Sequence, residues 1–130
     1  DNIFIFGLLT EQVNALKGNY NPWEHFNKDD ELRRVLEQIG NGTFSGGHKD
    51  TFQPIVNSLT HAGDHYMLLA DYRSYINAQE RVSDTYRDPQ VWTRKSILNV
   101  ANMGKFSTDR TISEYAQDIW GLKPVKPPGG

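Results

Sequence analysis

Two histidines stand four residues apart, His61 and His65, the separation that sets two metal ligands on one face of a helix. Gly63 falls between them, where the local pattern stops a helix, so the two rings are expected on different faces. They then join His25 and His48 as ordinary surface histidines. Carboxylates supply the next candidates: Asp29, Asp30 and Glu31 in one cluster, Asp109, Glu114 and Asp118 in another. A glycosidase-type acid pair needs no fixed separation along the chain, so sequence leaves that chemistry open. These acids fall at helix starts or on polar faces, where they cap the helix and complement its dipole. Tyr66, Tyr72, Tyr75, Tyr86 and Trp92 offer rings for a sugar-stacking platform, but their helical spacing points first to packing. The stretches "GNG" and "SGG" are short and lack the Lys-Ser/Thr partner of a phosphate loop. Lys105, following Gly104, hints at an anion site near the start of the next helix. From the residues alone, no catalytic, cofactor-binding or metal-binding residue is assigned.

The bulk composition narrows the classes further. With 130 residues the chain suits one domain, which hides roughly two-thirds of its unfolded surface. A net charge of −2 and a pI of about 6.1, without a basic block, lack the electrostatic footprint of a nucleic-acid binder. No run approaches the roughly 18 apolar residues of a membrane span. Zero cysteines exclude disulfides, thiolate nucleophiles and Cys-ligated zinc. A cytoplasmic location is compatible with all of this.

The elements that would position these residues are mainly helical. "DNIFIFG" opens the chain, and its four apolar residues Ile3 to Phe6 suit a strand buried on both faces of a parallel sheet. Thr10 is placed to cap a short helix carrying Val13 and Leu16. One strand cannot satisfy its own ladder, so the chain is expected to begin inside a larger domain. Pro22 and Trp23 lie in a turn-like stretch. Asp29 or Asp30 caps a helix with Leu32, Val35, Leu36 and Ile39 on one face, stopped by Gly40. "GNGTFSGG" reads as a flexible connector. Asp50 and Gln53 make a capping-box variant for a helix carrying Phe52, Ile55, Val56 and Leu59, ended by Gly63. "HYMLLA" is either extended or a buried approach to a long helix opened by Asp71. Asp88-Pro89 is a strong start for the following helix, which Gly104 stops. Ser107 or Asp109 then starts a last helix with Ile112, Tyr115, Ala116, Ile119 and Trp120 on one face. Pro124 and the tail cannot continue it. The expected fold is mostly α, with one strand and about six helices.

From Ala70 to Trp120 the chain resembles the C-terminal end of the glycogen and maltodextrin phosphorylases. The residues that carry this are Ala70-Asp71-Tyr72 with Gln79-Glu80, Trp92-Thr93, and Gly104-Lys105-Phe106-Ser107 leading to Asp109-Arg110 and Tyr115. "DNIFIFG" with its T-x-x-V helix extends the likeness to the N-terminus, and only "KPVKPPGG" has no counterpart. The resemblance implies the end of a Rossmann-like α/β domain within a two-domain (GT-B type) glycosyltransferase fold. Residues 1–121 would be the last part of that domain, with 107–120 a helix that crosses to the other one, and 122–130 a tail. It implies a cytoplasmic, homodimeric, allosteric parent enzyme that releases glucose 1-phosphate from α-1,4-glucan. Pyridoxal phosphate would be held on a lysine, its phosphate group taking part in proton transfer. In the family that lysine and the phosphate clamp lie upstream of the stretch corresponding to Asp1, so no catalytic or cofactor contact transfers to this chain. The chain's partners would be the rest of the phosphorylase, with glucan and phosphate as the parent's substrates. A free-standing helical module, binding glucan through exposed tyrosines, and a small enzyme with a scattered acid pair are the two other readings.

Overall fold

The computed structural model describes residues 2–123 and 125, so the tail expected over 122–130 lies mostly outside the described residues. The chain divides into two compact units, Phe4–Asp84 and Asp1–Ile3 with Thr85–Gly130.

The first unit contains α1 (Thr10–Leu16), α2 (Pro22–Lys28), α3 (Asp30–Gly40), α4 (Gln53–Leu59) and nearly all of α5 (Leu68–Tyr86). Asp29 starts α3 by accepting from the amides of Glu31 and Leu32, each at 3.1 Å, which satisfies two of the unpaired donors of the first turn. The apolar stripe then buries Leu32 and Leu36 against Leu69 of α5, with Phe26, Ile39, Leu59 and Tyr72 packed around them. This small core holds the unit together, since truncating one such leucine to alanine costs about 2–5 kcal/mol. α3 ends close against α4: a Cβ on Gly40 would stand 3.3 Å from Gln53 Oε1 and 3.4 Å from Val56 Cγ2.

Several expectations are corrected here. Pro22 and Trp23 do not form a turn but open α2, because Asn21 caps the Trp23 amide at 3.1 Å and proline fits the first helical position. α1 is capped at Leu9, whose amide donates to Gln12 Oε1 at 2.8 Å, rather than at Thr10. α4 starts after Phe52 with no side-chain cap; Asp50 is spent in a 3-10 turn, Lys49–Thr51, and α4 ends at Leu59, before Gly63. The "GNGTFSGG" connector is a closed turn, with the Gly47 amide donating to the Gly42 carbonyl at 2.9 Å. Gly42 sits at φ +93°, and a Cβ there would lie 2.8 Å from the Gly47 carbonyl carbon, so only glycine fits. The long helix is opened by Asp64, not by Asp71. Asp64 accepts from the Leu68 and Leu69 amides at 3.0 and 2.8 Å.

Asp71 takes a different part. Its carboxylate accepts the Leu8 amide at 2.8 Å, Ser74 Oγ accepts the Gly7 amide at 3.0 Å, and Arg81 donates to the Ile5 carbonyl at 3.2 Å. Residues 3–6 are therefore not a strand, and no strand occurs among the described residues. A ladder needs a second chain segment. Here several backbone groups of residues 5–8 are met instead by polar side chains of α5, while Ile5 is 70% exposed.

The second unit holds α6 (Pro89–Asn102), a 3-10 turn Met103–Phe106, α7 (Thr108–Glu114) and a π-helical turn Tyr115–Ile119. Asp88 caps α6 through the amides of Gln90 and Val91 at 3.0 and 3.1 Å, as its sequence indicates. Ser107 caps α7 at the Arg110 amide, 3.3 Å away. Tyr86 and Trp92 pack edge to face, 5.0 Å apart. No described residue of this unit is buried, and Ile97, Val100, Ile112, Ile119 and Trp120 are all exposed. The described residues thus form seven α-helices, α2 being the one beyond expectation.

Candidate functional site

The structure separates most of the candidate groups. His61 lies just past the end of α4 and packs edge to face on Trp23, ring centres 5.2 Å apart. His65 is exposed beyond the turn at Gly63, and His25 pairs with Tyr20. Among the described residues, no three His, Cys, Asp or Glu side chains are grouped to hold a metal.

The acids serve as caps and in ion pairs. Asp29, besides capping α3, accepts two hydrogen bonds from Arg73 Nη2 and one from Nε, at 2.6–3.0 Å, while Arg73 Nη1 reaches Glu31 at 2.9 Å. Burial alone would raise the Asp29 carboxyl, but bonds from Arg73 and the Leu32 amide outweigh it and hold the group below its ordinary range. The hydrogen bonds to Asp29 and Glu31 push the Arg73 guanidinium up. Burial, with the charges of Glu31 and Asp29 behind it, raises the Tyr72 phenol. Asp30 pairs with Arg33, and Glu114 with Arg110. Among the described residues the one deeply enclosed acid is Asp64, 2% exposed, which the sequence had not singled out. Beyond its two amides it accepts the Tyr20 hydroxyl at 2.7 Å. Burial and the Asp64 carboxylate raise the Tyr20 phenol well above its usual value.

The proposed ring platform does not assemble. Tyr66 is 92% exposed, Tyr72 packs on the core and Tyr75 stands against Phe6 at 5.2 Å. Tyr86 and Trp92 pair in the other unit. Another aromatic cluster takes its place, formed by Trp23, Phe26 and His61, with Phe26 at 5.2 Å from Trp23. It borders a groove of about 370 Å³ between α2, the end of α3 and α4, floored by Phe26, Leu36 and Val56. Reading Trp23 as part of a turn concealed this cluster. The Asn-Pro pair that starts α2 was the signal, being the same kind of cap that Asp88-Pro89 displays.

A Schiff-base cofactor calls for an enclosed lysine beside a phosphate cradle. Of the described lysines, Lys17, Lys28, Lys49, Lys105 and Lys123 are exposed and Lys95 is half-buried. In the glycine turn, the amides of Ser45 and Gly47 donate to the Gly42 carbonyl rather than toward a ligand. Lys105 stands exposed in a 3-10 turn, and the helix after it is a single short segment. The described residues do not fit pyridoxal phosphate.

Family comparison supplies what local geometry does not. The family model described as carbohydrate phosphorylase matches residues 1–122. The chain belongs to the carbohydrate phosphorylase family. Among its relatives, the glycogen phosphorylase of Synechocystis is 46% identical over 126 residues, covering 96% of this chain and 15% of the relative. The muscle form of glycogen phosphorylase from Homo sapiens is 47% identical over 127 residues, and that from Rattus norvegicus 46%. Each of these covers 97% of this chain. The chain thus spans about 15% of the length of the relatives it matches.

Proposed function

We propose that the chain is the C-terminal segment of a pyridoxal-phosphate-dependent α-1,4-glucan phosphorylase, and that it contributes placement of domains rather than reacting groups. The observation that carries this is identity of about 46% sustained across nearly the whole chain but only 15% of the relative's length. The cofactor lysine, the phosphate clamp and the glucose subsite belong, in this reading, to the rest of the protein. That protein would be a cytoplasmic homodimer with its allosteric control in other segments. The segment 107–120, made of α7 and its π-helical turn, would cross to the other domain and fix the cleft between the two. Its exposed Ile112, Ile119 and Trp120 support that role, since apolar side chains of this size are normally covered.

The test has two arms. The 130-residue chain, incubated with pyridoxal phosphate, glycogen and phosphate, is expected to retain no cofactor absorbance after dialysis and to release no glucose 1-phosphate. Turnover at about 1 per second or more would overturn the assignment. In the full-length protein, removal of residues 107–130 is expected to cut phosphorolysis at least about 100-fold by losing domain placement. A truncated enzyme of full activity would refute the crossing role.

A further inference from the structure

Asn41 is the one asparagine of the sequence that precedes a glycine. That pairing has a chemistry of its own. A backbone amide nitrogen can attack the side-chain carboxamide of the asparagine before it and close a succinimide ring, and glycine offers no Cβ to obstruct the approach. Elsewhere the step is blocked. Asn14, Asn27, Asn57, Asn77 and Asn99 lie within helices, where the following amide is tied into the helical ladder, and Asn21 precedes a proline. The Gly42 amide, by contrast, donates no hydrogen bond among the described residues, and Asn41 is exposed.

The turn around this pair holds it in an unreactive shape. Asn41 follows α3 with ψ at 0°, which turns the Gly42 nitrogen away from the Asn41 side chain. Asn41 Oδ1 is held by the Thr43 amide at 3.0 Å and the Thr43 hydroxyl at 2.6 Å. The Ser45 and Gly47 amides close the loop on the Gly42 carbonyl at 3.1 and 2.9 Å. These bonds all lie within residues 41–48, and no side chain of that segment belongs to the leucine core. The turn therefore opens at a low free-energy cost, without unfolding the helices beside it. We propose that Asn41 is a self-modification site gated by this turn. In the opened turn the Gly42 nitrogen, its proton lost to base, bonds to the Asn41 side-chain carbonyl carbon. The bond from that carbon to Nδ2 breaks, and the nitrogen leaves as ammonia with the proton returned to it. Water then opens the succinimide at either carbonyl, leaving aspartate or isoaspartate at position 41.

The change is one-way. It adds a carboxylate to a chain of net charge −2, at the negative end of the α3 dipole and one turn from Glu37. Isoaspartate also lengthens the main chain by a methylene next to Gly42, where even a Cβ would lie 2.8 Å from the Gly47 carbonyl carbon. The closed turn cannot re-form around it. The end of α3, where Gly40 packs against Gln53 and Val56, then loosens as the protein ages.

Ageing the native chain in mildly alkaline buffer tests the site, with tryptic mapping and enzymatic labelling of isoaspartate. The peptide of residues 35–49 carries Asn41 as its sole asparagine, so products there have one origin. Isoaspartate and aspartate are expected in that peptide before any other, with an acidic shift on isoelectric focusing. Thr43→Val, which frees the carboxamide, is expected to quicken conversion about three- to tenfold, the net worth of one hydrogen bond, and Thr43→Ser to restore the parent rate. Below the urea transition the parent rate should stay flat, because local opening exposes little surface. Once urea unfolds the chain, the rates of all three should converge. Asn41 left intact while another asparagine converts would overturn the site. The turn would be overturned as its gate by a rate that climbs with the unfolded fraction from the first urea. No acceleration in Thr43→Val, or one that persists in the unfolded chain, would do the same.

Discussion

Replacing Asp64 with alanine should be among the most damaging single changes in the first unit. Asp64 is 2% exposed and receives the Tyr20 hydroxyl at 2.7 Å and the Leu68 and Leu69 amides at 3.0 and 2.8 Å. Removing a helix cap costs about 1 kcal/mol. A hydrogen bond to a charged acceptor is worth about 1.5–3 kcal/mol, and its loss strands a partly buried phenol. Asp64 also sits at φ +44°, where alanine is disfavoured by about 1–2 kcal/mol. Together these place Asp64→Ala at about 3.5–6 kcal/mol of a total stability of about 5–15. Asp64→Asn, which tolerates that backbone and keeps a carbonyl acceptor, should cost about 1–2 kcal/mol. Tyr20→Phe should cost about as much, and the two changes combined should cost less than their separate effects added. Urea titrations of the variants provide the values, with the slope reporting whether the unfolded state has changed. A loss below about 1 kcal/mol for Asp64→Ala would refute the view that this carboxylate organises the start of α5.

Three further outcomes follow from the geometry. Trp120 is 59% exposed, so Trp120→Ala should cost under about 2 kcal/mol in this chain and less than Trp92→Ala, whose ring packs on Tyr86; denaturant titration compares them, and the reverse order would place the last helix in a local core. The Asp29 carboxyl is held below its ordinary 3.8, so its contribution to stability is present above that value and is lost as pH falls through the lower folded value. Asp29→Asn should flatten the acid limb of a stability-pH curve, and an unchanged limb would count against the Arg73 clamp. The apolar tract at residues 3–6, with Ile5 70% exposed, should drive concentration-dependent association in analytical ultracentrifugation. Ile5→Lys should reduce that association, and a monomer at all concentrations would contradict it.

Much of the helical skeleton was legible because its signals are local. The stripe Leu32, Val35, Leu36 and Ile39 behind Asp29, and the Asp88-Pro89 start, need nothing beyond their own few residues to act. Long-range contacts were not legible. Asp71 looked like a cap because it precedes a helical run, yet the run begins earlier and its carboxylate meets Leu8, 63 positions away. Asp64 carries no local signal that singles it out, and only its pairing with Tyr20 shows why an acid is enclosed there. The strand expected over residues 3–6 failed for the same reason: a β pattern states what faces the segment wants, whereas its ladder depends on a neighbour. The candidate groove eluded a search for regular ring spacing, since Trp23 and His61 come from different elements.

The π-helical turn at the end of α7 has an effect on how the last apolar residues are presented. An α-helix advances about 100° per residue, and a π turn accommodates one residue more before the backbone bond closes. The Trp120 amide bonds to the Tyr115 carbonyl at 3.0 Å, five positions back, and the Leu122 amide to Ala116 at 2.7 Å. Trp120 therefore stands on a different meridian from the one an unbroken α-helix through Ile112 would assign it. Deleting a single residue between 115 and 119 would restore ordinary winding and leave the indole at nearly its present azimuth, because the wider turn absorbs one extra residue. Winding the same residues as an unbroken α-helix, with their count kept, would instead swing the ring by about a quarter of a revolution, so the azimuth depends on the π turn itself being held.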